Sequence, residues 1–144
     1  MSETSRPPRP KPTPSRDSAF FWKGVAEGQL LAQRCAGCAR LRHPPRPMCP
    51  DCGSTEWQAI PLSGRGSVHS WIEPLHPKLP FFEDPLLVAL IDLEEGPRLL
   101  SNLCEVDPEE VTTGMEVEVF FIPSQEGAED DQPVHQFRPR RRAP

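Results

Sequence analysis

Two cysteine pairs, Cys35-Ala36-Gly37-Cys38 and Cys49-Pro50-Asp51-Cys52, decide how the middle of this 144-residue chain folds. Zinc prefers tetrahedral thiolate ligation, and a Cys-x-x-Cys turn places two sulfurs on one side of a metal ion. Two such turns close a four-thiolate site that has no open position for a substrate. The pattern predicts a structural zinc site whose ligands are Cys35, Cys38, Cys49 and Cys52.

Cysteine pairs of this kind also occur in iron sites and in redox-active proteins. A rubredoxin-type iron site uses the same four ligands and stays open as an alternative to zinc. A thioredoxin-like redox pair needs a βαβ pattern, which the flanking sequence lacks. Gly37 and Gly53 are expected to adopt positive φ at the two tight turns. The fifth cysteine, Cys104, ends an apolar segment and is interpreted as a small buried hydrophobe.

The sequence on the carboxyl side of the cysteines is typical of short β-strands. Twenty prolines and nine glycines disfavour long helices and favour strands joined by turns. In the first strand, Val68, Ser70 and Ile72 are expected on one face, with His69 and Trp71 on the other. Five strands are predicted, over residues 66–73, 86–93, 98–103, 114–122 and 133–137, and they indicate a small closed barrel or sandwich.

The segment before the cysteines divides into two parts. Residues 1–17 contain several prolines and arginines and almost no apolar side chains, so we expect a disordered tail. Apolar residues from Phe21 to Leu31 recur at helical spacing after the capping residues Asp17 and Ser18 and predict a short helix. The predicted organisation is a tail (1–17), a helical segment (18–33), a zinc ribbon (34–60), a barrel (61–139) and a basic tail (140–144).

Charge and hydropathy exclude some classes of function. The net charge is −5, and the part between the two basic ends, residues 17–137, has eight basic and 20 acidic residues, a net −12. Such a body repels a phosphate backbone, so nucleic-acid binding is disfavoured. Apolar runs are too short to cross a bilayer, and the first residues have no apolar signal region. Together with an odd cysteine count, this predicts a cytoplasmic protein without a membrane segment.

Several motifs, in this order, resemble a known family. They include Phe21-Trp22-Lys23-Gly24, Gly28-Gln29-Leu30, Gln33-Arg34-Cys35, Cys49-Pro50-Asp51-Cys52-Gly53-Ser54, Ser63-Gly64-Arg65-Gly66-Ser67-Val68, Pro85 to Leu93, Gly114-Met115 with Val117, Val119 and Phe121, and Gln136-Phe137-Arg138-Pro139. The chain is similar over about residues 18–139 to the acyl-CoA-associated zinc-ribbon/OB-fold proteins.

This resemblance implies both a fold and a function. The implied fold is mainly β: a short N-terminal helical segment, a rubredoxin-like four-cysteine zinc ribbon and a C-terminal five-stranded OB-fold barrel. The implied function is that of a non-catalytic accessory subunit. It would bind a thiolase-fold enzyme and support carbon–carbon bond cleavage or formation on acyl-CoA thioesters, as in steroid side-chain retro-aldolases. The alternative is a nucleic-acid-binding zinc-ribbon/OB module.

Two sets of residues outside the cysteines are candidates for contact with a ligand or a partner. Arg40, Arg42 and Arg46, together with Arg34 and His43, form a basic island on the ribbon that could meet the phosphates of coenzyme A or acidic groups of a partner. His76, Phe81 and Phe82 lie in a long loop after the first barrel strand, where OB-folds often bind. None of these residues forms a catalytic set, so the chain is not expected to be catalytic alone.

Overall fold

The structure is a computed structural model that describes residues 6–141. Its helix and strands are mostly short, as expected for a chain rich in turn-forming residues. In chain order they are α1 (Ala19–Ala26), β1 (Leu31–Cys35), β2 (Leu41–Arg42), β3 (Trp57–Pro61), β4 (Arg65–Ile72), β5 (Val88–Leu93), β6 (Arg98–Leu103), a 3-10 turn (Pro108–Glu110), β7 (Glu116–Ile122) and β8 (Val134–Pro139).

Helix α1 is shorter than the helical segment expected from the sequence. It ends before Gly28, whose φ of +77° turns the backbone out of the helix. The backbone N–H of Gln29 then donates to the carbonyl of Gly24 at 2.8 Å. A Cβ on Gly24 would come within 2.7 Å of Leu31 Cδ1, so this glycine allows the helix to approach β1 closely. Residues from Leu31 onward therefore belong to a strand instead of continuing the helix.

The ribbon contains a small antiparallel sheet that the sequence did not indicate. The strand order is β2-β1-β3, with Gln33 opposite Arg42 and Cys35 opposite Trp57. Cys35 is the last residue of β1, so the first cysteine turn emerges directly from this sheet. The sheet anchors one side of the metal-binding loops to regular structure.

The five predicted barrel strands are confirmed and close on themselves. Their order is β4-β5-β6-β8-β7, with β4 pairing back to β7. All neighbours are antiparallel except β6 and β8, which are parallel. The barrel interior is apolar, and Ala89, Ile91, Val117 and Phe137 have no exposed surface. The expected fold class, a mainly β chain with one short helix, a four-cysteine ribbon and a five-stranded OB-fold barrel, is confirmed.

The expected facing of side chains in β4 is wrong beyond Val68. The pairing of β4 with β5 shifts register between Val68 and Ser70, which is a β-bulge. A bulge inserts one residue and reverses which face the following side chains occupy. Val68 is buried and Trp71 packs against the core, whereas Ile72 is 62% exposed. Ile72 thus lies on the outer face of the barrel.

The helix and the ribbon pack against the barrel at one junction. The ring of Trp22 stacks on His135 of β8 at 5.9 Å, and Phe21 meets the same imidazole edge-on at 5.7 Å. Phe21 also lies 5.2 Å from the ring of His43 in the ribbon. This apolar junction fixes the orientation of all three parts relative to one another.

Residues 6–17 lie against the barrel without forming a helix or strand. Arg6 pairs with Glu83 at 2.9 Å, and Lys11 pairs with Asp130 at 2.8 Å. Residues 1–5 of the expected disordered tail and residues 142–144 of the expected basic tail fall outside the described residues. Between residues 6 and 141, no helix is long and apolar enough to cross a membrane.

Candidate metal centre and surface grooves

The four predicted metal ligands come together at one point. Their sulfur atoms all lie within 4.8 Å of one another. The Sγ atoms of Cys35 and Cys52 are 3.5 Å apart, and those of Cys38 and Cys49 are 3.7 Å apart. A tetrahedron with metal–sulfur bonds of about 2.3 Å has sulfurs separated by roughly 3.8 Å. The donor set and its spacing therefore fit a tetrahedral, thiolate-binding metal ion.

The backbone shapes the two cysteine turns by different means. In the second turn, Gly53 has φ of +76°, as expected from the sequence, and its N–H donates to the carbonyl of Cys49 at 3.0 Å. In the first turn, the residue at positive φ is Ala39, at +65°, and not Gly37. Gly37 is needed for space instead, because a Cβ there would lie 3.2 Å from Cys52 Sγ.

Backbone hydrogen bonds favour the thiolate form of two of the ligands. The N–H groups of Cys38 and Gly37 lower the pKa of Cys35 to about 6. The N–H groups of Cys52 and Asp51 likewise lower the pKa of Cys49. A metal ion is bound by the thiolate, so these donors reduce the cost of losing the thiol proton. Cys35 and Cys49 are buried, and Cys38 and Cys52 are exposed. Four thiolates would fill every position of a tetrahedral metal ion and leave none for a substrate, as in a structural site.

The predicted basic residues of the ribbon line a groove of about 650 Å³ between the ribbon and the β5–β6 hairpin. Arg40 forms an ion pair with Asp51 at the rim. Arg42 is only 7% exposed, and its Nε donates to Gln33 Oε1 at 2.8 Å. Arg46 is exposed, and Arg98 from the start of β6 joins these three arginines in lining the groove. The structure thus brings Arg40, Arg42 and Arg46 into one groove with His43, whereas Arg34 of the same predicted island does not line it.

The predicted aromatic residues line a different groove, at the open end of the barrel, with a volume of about 1090 Å³. Phe81 and Phe82 are half-buried there and pack edge-on with ring centroids 5.7 Å apart. His76 is exposed and is not among the residues that line this groove. The two candidate sets from the ribbon and the loop therefore form two separate surfaces.

Sequence reasoning missed Arg9 and Gln33. Arg9 lies with its guanidinium 4.7 Å from the Phe82 ring centroid. With the Gln136 amide turned so that its oxygen faces Arg9, Arg9 Nη2 donates to that oxygen at 2.9 Å. Burial lowers the pKa of Arg9, which also lines the barrel-end groove. The sequence shows Gln33 only as part of a motif. In the structure it is 1% exposed, and its side-chain oxygen accepts hydrogen bonds from Arg42 Nε and from the backbone N–H of Arg46. Nothing local in the sequence signals either contact.

The outer face of strands β4, β5 and β6 carries four neighbouring apolar side chains, with the polar Ser70 and Asn102 on the same face. Leu90 stands opposite Leu100, and Ile72 stands opposite Val88 on the same face. Leu100 is 59% exposed, and Val88 and Leu90 are half-buried. We call these four residues the outer apolar patch: Ile72, Val88, Leu90 and Leu100. At its polar rim the Asp92 carboxylate forms an ion pair with Arg98 at 2.7 Å and lies within hydrogen-bond distance, 3.1 Å, of His69 Nδ1.

Comparison with known families gives two adjacent matches. Residues 22–58 match the family model of the ChsH2 rubredoxin-like zinc ribbon domain. Residues 59–121 match the model of the ChsH2 C-terminal OB-fold domain. The boundary between the two matches falls inside β3, and the zinc ribbon match alone contains Cys35, Cys38, Cys49 and Cys52.

Three curated relatives show how the module is used elsewhere. A probable enoyl-CoA hydratase alpha subunit of Thermomonospora curvata is 44% identical over 114 residues, which is 79% of this chain and 36% of that protein. A DUF35 domain-containing scaffold protein of Pyrococcus furiosus is 37% identical, over 83% of this chain and 90% of that protein. Benzoylsuccinyl-CoA thiolase subunit BbsA of Thauera aromatica is 30% identical, over 72% of this chain and 74% of the subunit.

A solved structure agrees with the architecture over most of its length. A chain of the Ltp2-ChsH2(DUF35) aldolase superposes with a TM-score of 0.82 at 40% identity and covers 90% of this chain and 98% of that chain. The hydratase subunit is a much longer protein, and this chain spans only about a third of its length.

Proposed function

Because this chain belongs to the DUF35 family of zinc-ribbon and OB-fold proteins, we propose that it is a non-catalytic accessory subunit of a thiolase-fold enzyme. In this role it supports that enzyme's cleavage or formation of carbon–carbon bonds in acyl-CoA thioesters, with steroid side-chain retro-aldol cleavage as the narrower expectation. Its four-cysteine site holds a structural zinc ion, and the complex works in the cytoplasm.

The observation that carries this proposal is the agreement with the aldolase structure. There a chain of nearly the same extent is part of an assembly named as an aldolase. Two further relatives have names that point the same way, one a scaffold protein and one a thiolase subunit. An identity of 40% over nearly all of both chains supports a shared mode of association.

The chemistry of the described residues supports a non-catalytic role. Within residues 6–141, Ser101 and His135 most resemble a nucleophile and its base, with Ser101 Oγ 2.7 Å from His135 Nδ1. Ser101 is only 7% exposed, so a substrate has little access to it. Burial, followed by the nearby His43, lowers the pKa of His135 to about 4, which makes it a weak base. This pair is better explained as part of the junction between helix and barrel.

The outer apolar patch is the surface that we assign to the partner enzyme. Large exposed apolar groups with a polar rim are typical of protein–protein interfaces. The patch lies on three paired strands, so its side chains are held in place before binding and lose little freedom on association. A rigid, apolar sheet face suits a permanent subunit contact with a folded enzyme.

The experiment is co-expression of the tagged chain with the thiolase-fold enzyme encoded nearest to it, followed by affinity purification. We expect a stable complex with the wild-type chain and at least a tenfold lower yield of partner with Leu100→Glu, because a carboxylate would be buried unpaired in the interface. Met48→Glu is the matched control, since Met48 is 55% exposed on the ribbon and outside the patch. A complex that is equally stable with both variants would contradict the assigned surface.

A second candidate function follows from the hydratase relative. The match at 44% identity covers only part of that subunit, so the same module also occurs in proteins named as hydratases. If mass spectrometry shows that the co-purifying enzyme is an enoyl-CoA hydratase, this second function replaces the first. A salt-dependent shift of single-stranded DNA by the isolated chain would instead favour the nucleic-acid-binding alternative.

A further inference from the structure

The groove between the ribbon and the β5–β6 hairpin carries more positive charge than its surroundings. Four arginines line it: Arg40, Arg42, Arg46 and Arg98. Glu95 is the acidic residue among its lining residues, and the Glu95 carboxylate accepts a hydrogen bond from the backbone N–H of Ser63 at 2.6 Å. In a chain with a net charge of −5, such a concentration of guanidinium groups in one concave surface favours an anion.

Two of these arginines have their charge balanced by a carboxylate and two do not. Arg40 is paired with Asp51, and Arg98 is paired with Asp92. Arg42 contacts only neutral acceptors, the side-chain oxygen of Gln33 and the backbone oxygen of Arg46. Arg46 forms no ion pair within the described part of the chain. The groove therefore holds two arginines, Arg42 and Arg46, that form no ion pair with any carboxylate of residues 6–141.

Arg42 supplies an independent sign of a ligand. Its side chain is more than nine-tenths buried, and within residues 6–141 its Nη1 has no hydrogen-bond acceptor. A buried charged donor without an acceptor destabilises the protein unless a partner satisfies it, and a ligand in the groove would supply such a partner. The same side chain lines the groove, next to the exposed Arg46.

Gln33 prepares these arginines for binding. Its side-chain oxygen accepts from Arg42 Nε and from the backbone N–H of Arg46, each at 2.8 Å. One buried amide thus fixes both the guanidinium of Arg42 and the backbone at Arg46. A site in which the donors are held before the ligand arrives binds with a smaller entropic cost.

We propose that this groove binds a phosphate group carried by a small organic molecule. Guanidinium groups bind phosphate oxygens with paired hydrogen bonds, and a doubly charged phosphate suits two uncompensated arginines better than a single carboxylate does. The volume of about 650 Å³ is in the range of small-molecule pockets and exceeds what an inorganic ion fills. The nucleotide end of an acyl-CoA thioester is one source of such a phosphate, and that choice of source rests on the function proposed above.

The test uses the isolated, zinc-loaded full chain at low salt and titrates it with inorganic pyrophosphate and, separately, with coenzyme A. We expect saturable binding that is at least tenfold weaker in Arg46→Gln, an exposed substitution that leaves the fold intact. Arg34→Gln is the matched control, because Arg34 is an exposed ribbon arginine outside the groove. The ¹⁵N Nε–H resonance of Arg42 should shift on binding, which reports on the site without any enzymatic activity.

The outcomes separate this site from the accessory-subunit function. Coenzyme A that binds as well as pyrophosphate, with the same loss in Arg46→Gln, identifies its nucleotide phosphates as the source. Equal weakening in Arg34→Gln and Arg46→Gln would overturn the site in favour of general charge attraction, and tighter binding of an acidic peptide than of pyrophosphate would overturn the assignment to phosphate. Because no partner enzyme is present, failure of the subunit proposal leaves this result unchanged.

Discussion

The ribbon and the barrel are stabilised by different means. In the ribbon, the buried side chains are few and include the ligands Cys35 and Cys49 and the polar pair Gln33 and Arg42. In the barrel, a continuous apolar cluster extends from Val68 to Phe137. A small region with so little apolar burial needs a metal ion to stay folded, whereas the barrel can rely on the hydrophobic effect. The two regions should therefore respond to different perturbations.

Removal of the metal should produce the largest difference in stability between the ribbon and the barrel. Structural zinc contributes roughly 10–16 kcal/mol of apparent binding free energy in zinc-finger peptides at pH 7. We expect a chelator, or Cys49→Ser, to abolish hydrogen-exchange protection of amides in β1–β3 while those in β4–β8 remain protected. Native-state hydrogen exchange measures both regions in one experiment.

The matched control for this change is Cys104→Ser, since Cys104 lies outside the four-cysteine cluster. It should leave the metal content of the purified protein at one ion per chain. If the barrel amides lose protection together with those of the ribbon, the two regions form a single cooperative unit and the comparison fails.

A smaller effect should distinguish the inner and outer faces of the barrel. Ile91 has no exposed surface and Ile72 is 62% exposed on the outer apolar patch. Ile91→Ala should lower the free energy of unfolding by about 2–5 kcal/mol because it leaves a cavity, whereas Ile72→Ala should change it by less than about 0.5 kcal/mol. Urea denaturation of the two variants measures this difference, and equal losses would contradict the register given to β4 and β5.

The sequence predicted the barrel well but could not predict this difference between faces. Alternation identified β4 as a strand and placed Ile72 on the same face as Val68. The bulge after Val68 reverses that assignment, and bulges depend on pairing with β5 and β7 rather than on local sequence. For the same reason the outer apolar patch became visible only when the partner strands were known.

The site shows the same division between local and long-range information. Cysteine spacing predicted that Cys35, Cys38, Cys49 and Cys52 form one cluster, because the geometry of a Cys-x-x-Cys turn is local. The sequence placed Arg40, Arg42 and Arg46 in one basic island, but it could not show that Arg42 is buried or that Arg98 faces it from the barrel. Those facts depend on how the ribbon packs against the β5–β6 hairpin.

Lowering the pH should reduce the free energy of unfolding by less than removal of the metal does, through His135 at the junction between the two regions. Burial first, and then His43, lowers the pKa of His135 to about 4, below the value of about 6.5 expected when the chain is unfolded. Between these values the unfolded chain binds more protons than the folded chain, so stability falls as pH falls through this window. We expect a loss of about 2 kcal/mol between pH 7.5 and 5, measured by urea denaturation.

Two variants sharpen this prediction. His135→Phe removes one titrating group and should reduce the pH dependence between pH 7.5 and 5, leaving the smaller part due to His43, whose pKa burial also lowers. His76→Ala should leave it unchanged, because His76 is an exposed side chain. A dependence that is the same in all three proteins would mean that other groups control the acid response.

The most direct test of the accessory-subunit function is an activity titration of the purified thiolase-fold partner with this chain. We expect turnover of an acyl-CoA substrate to rise in proportion to added wild-type chain and to saturate at a fixed ratio, whereas Leu100→Glu at the same concentration restores no turnover. The chain alone should show no turnover. Full activity of the partner without this chain, unchanged by its addition, would contradict the accessory-subunit function.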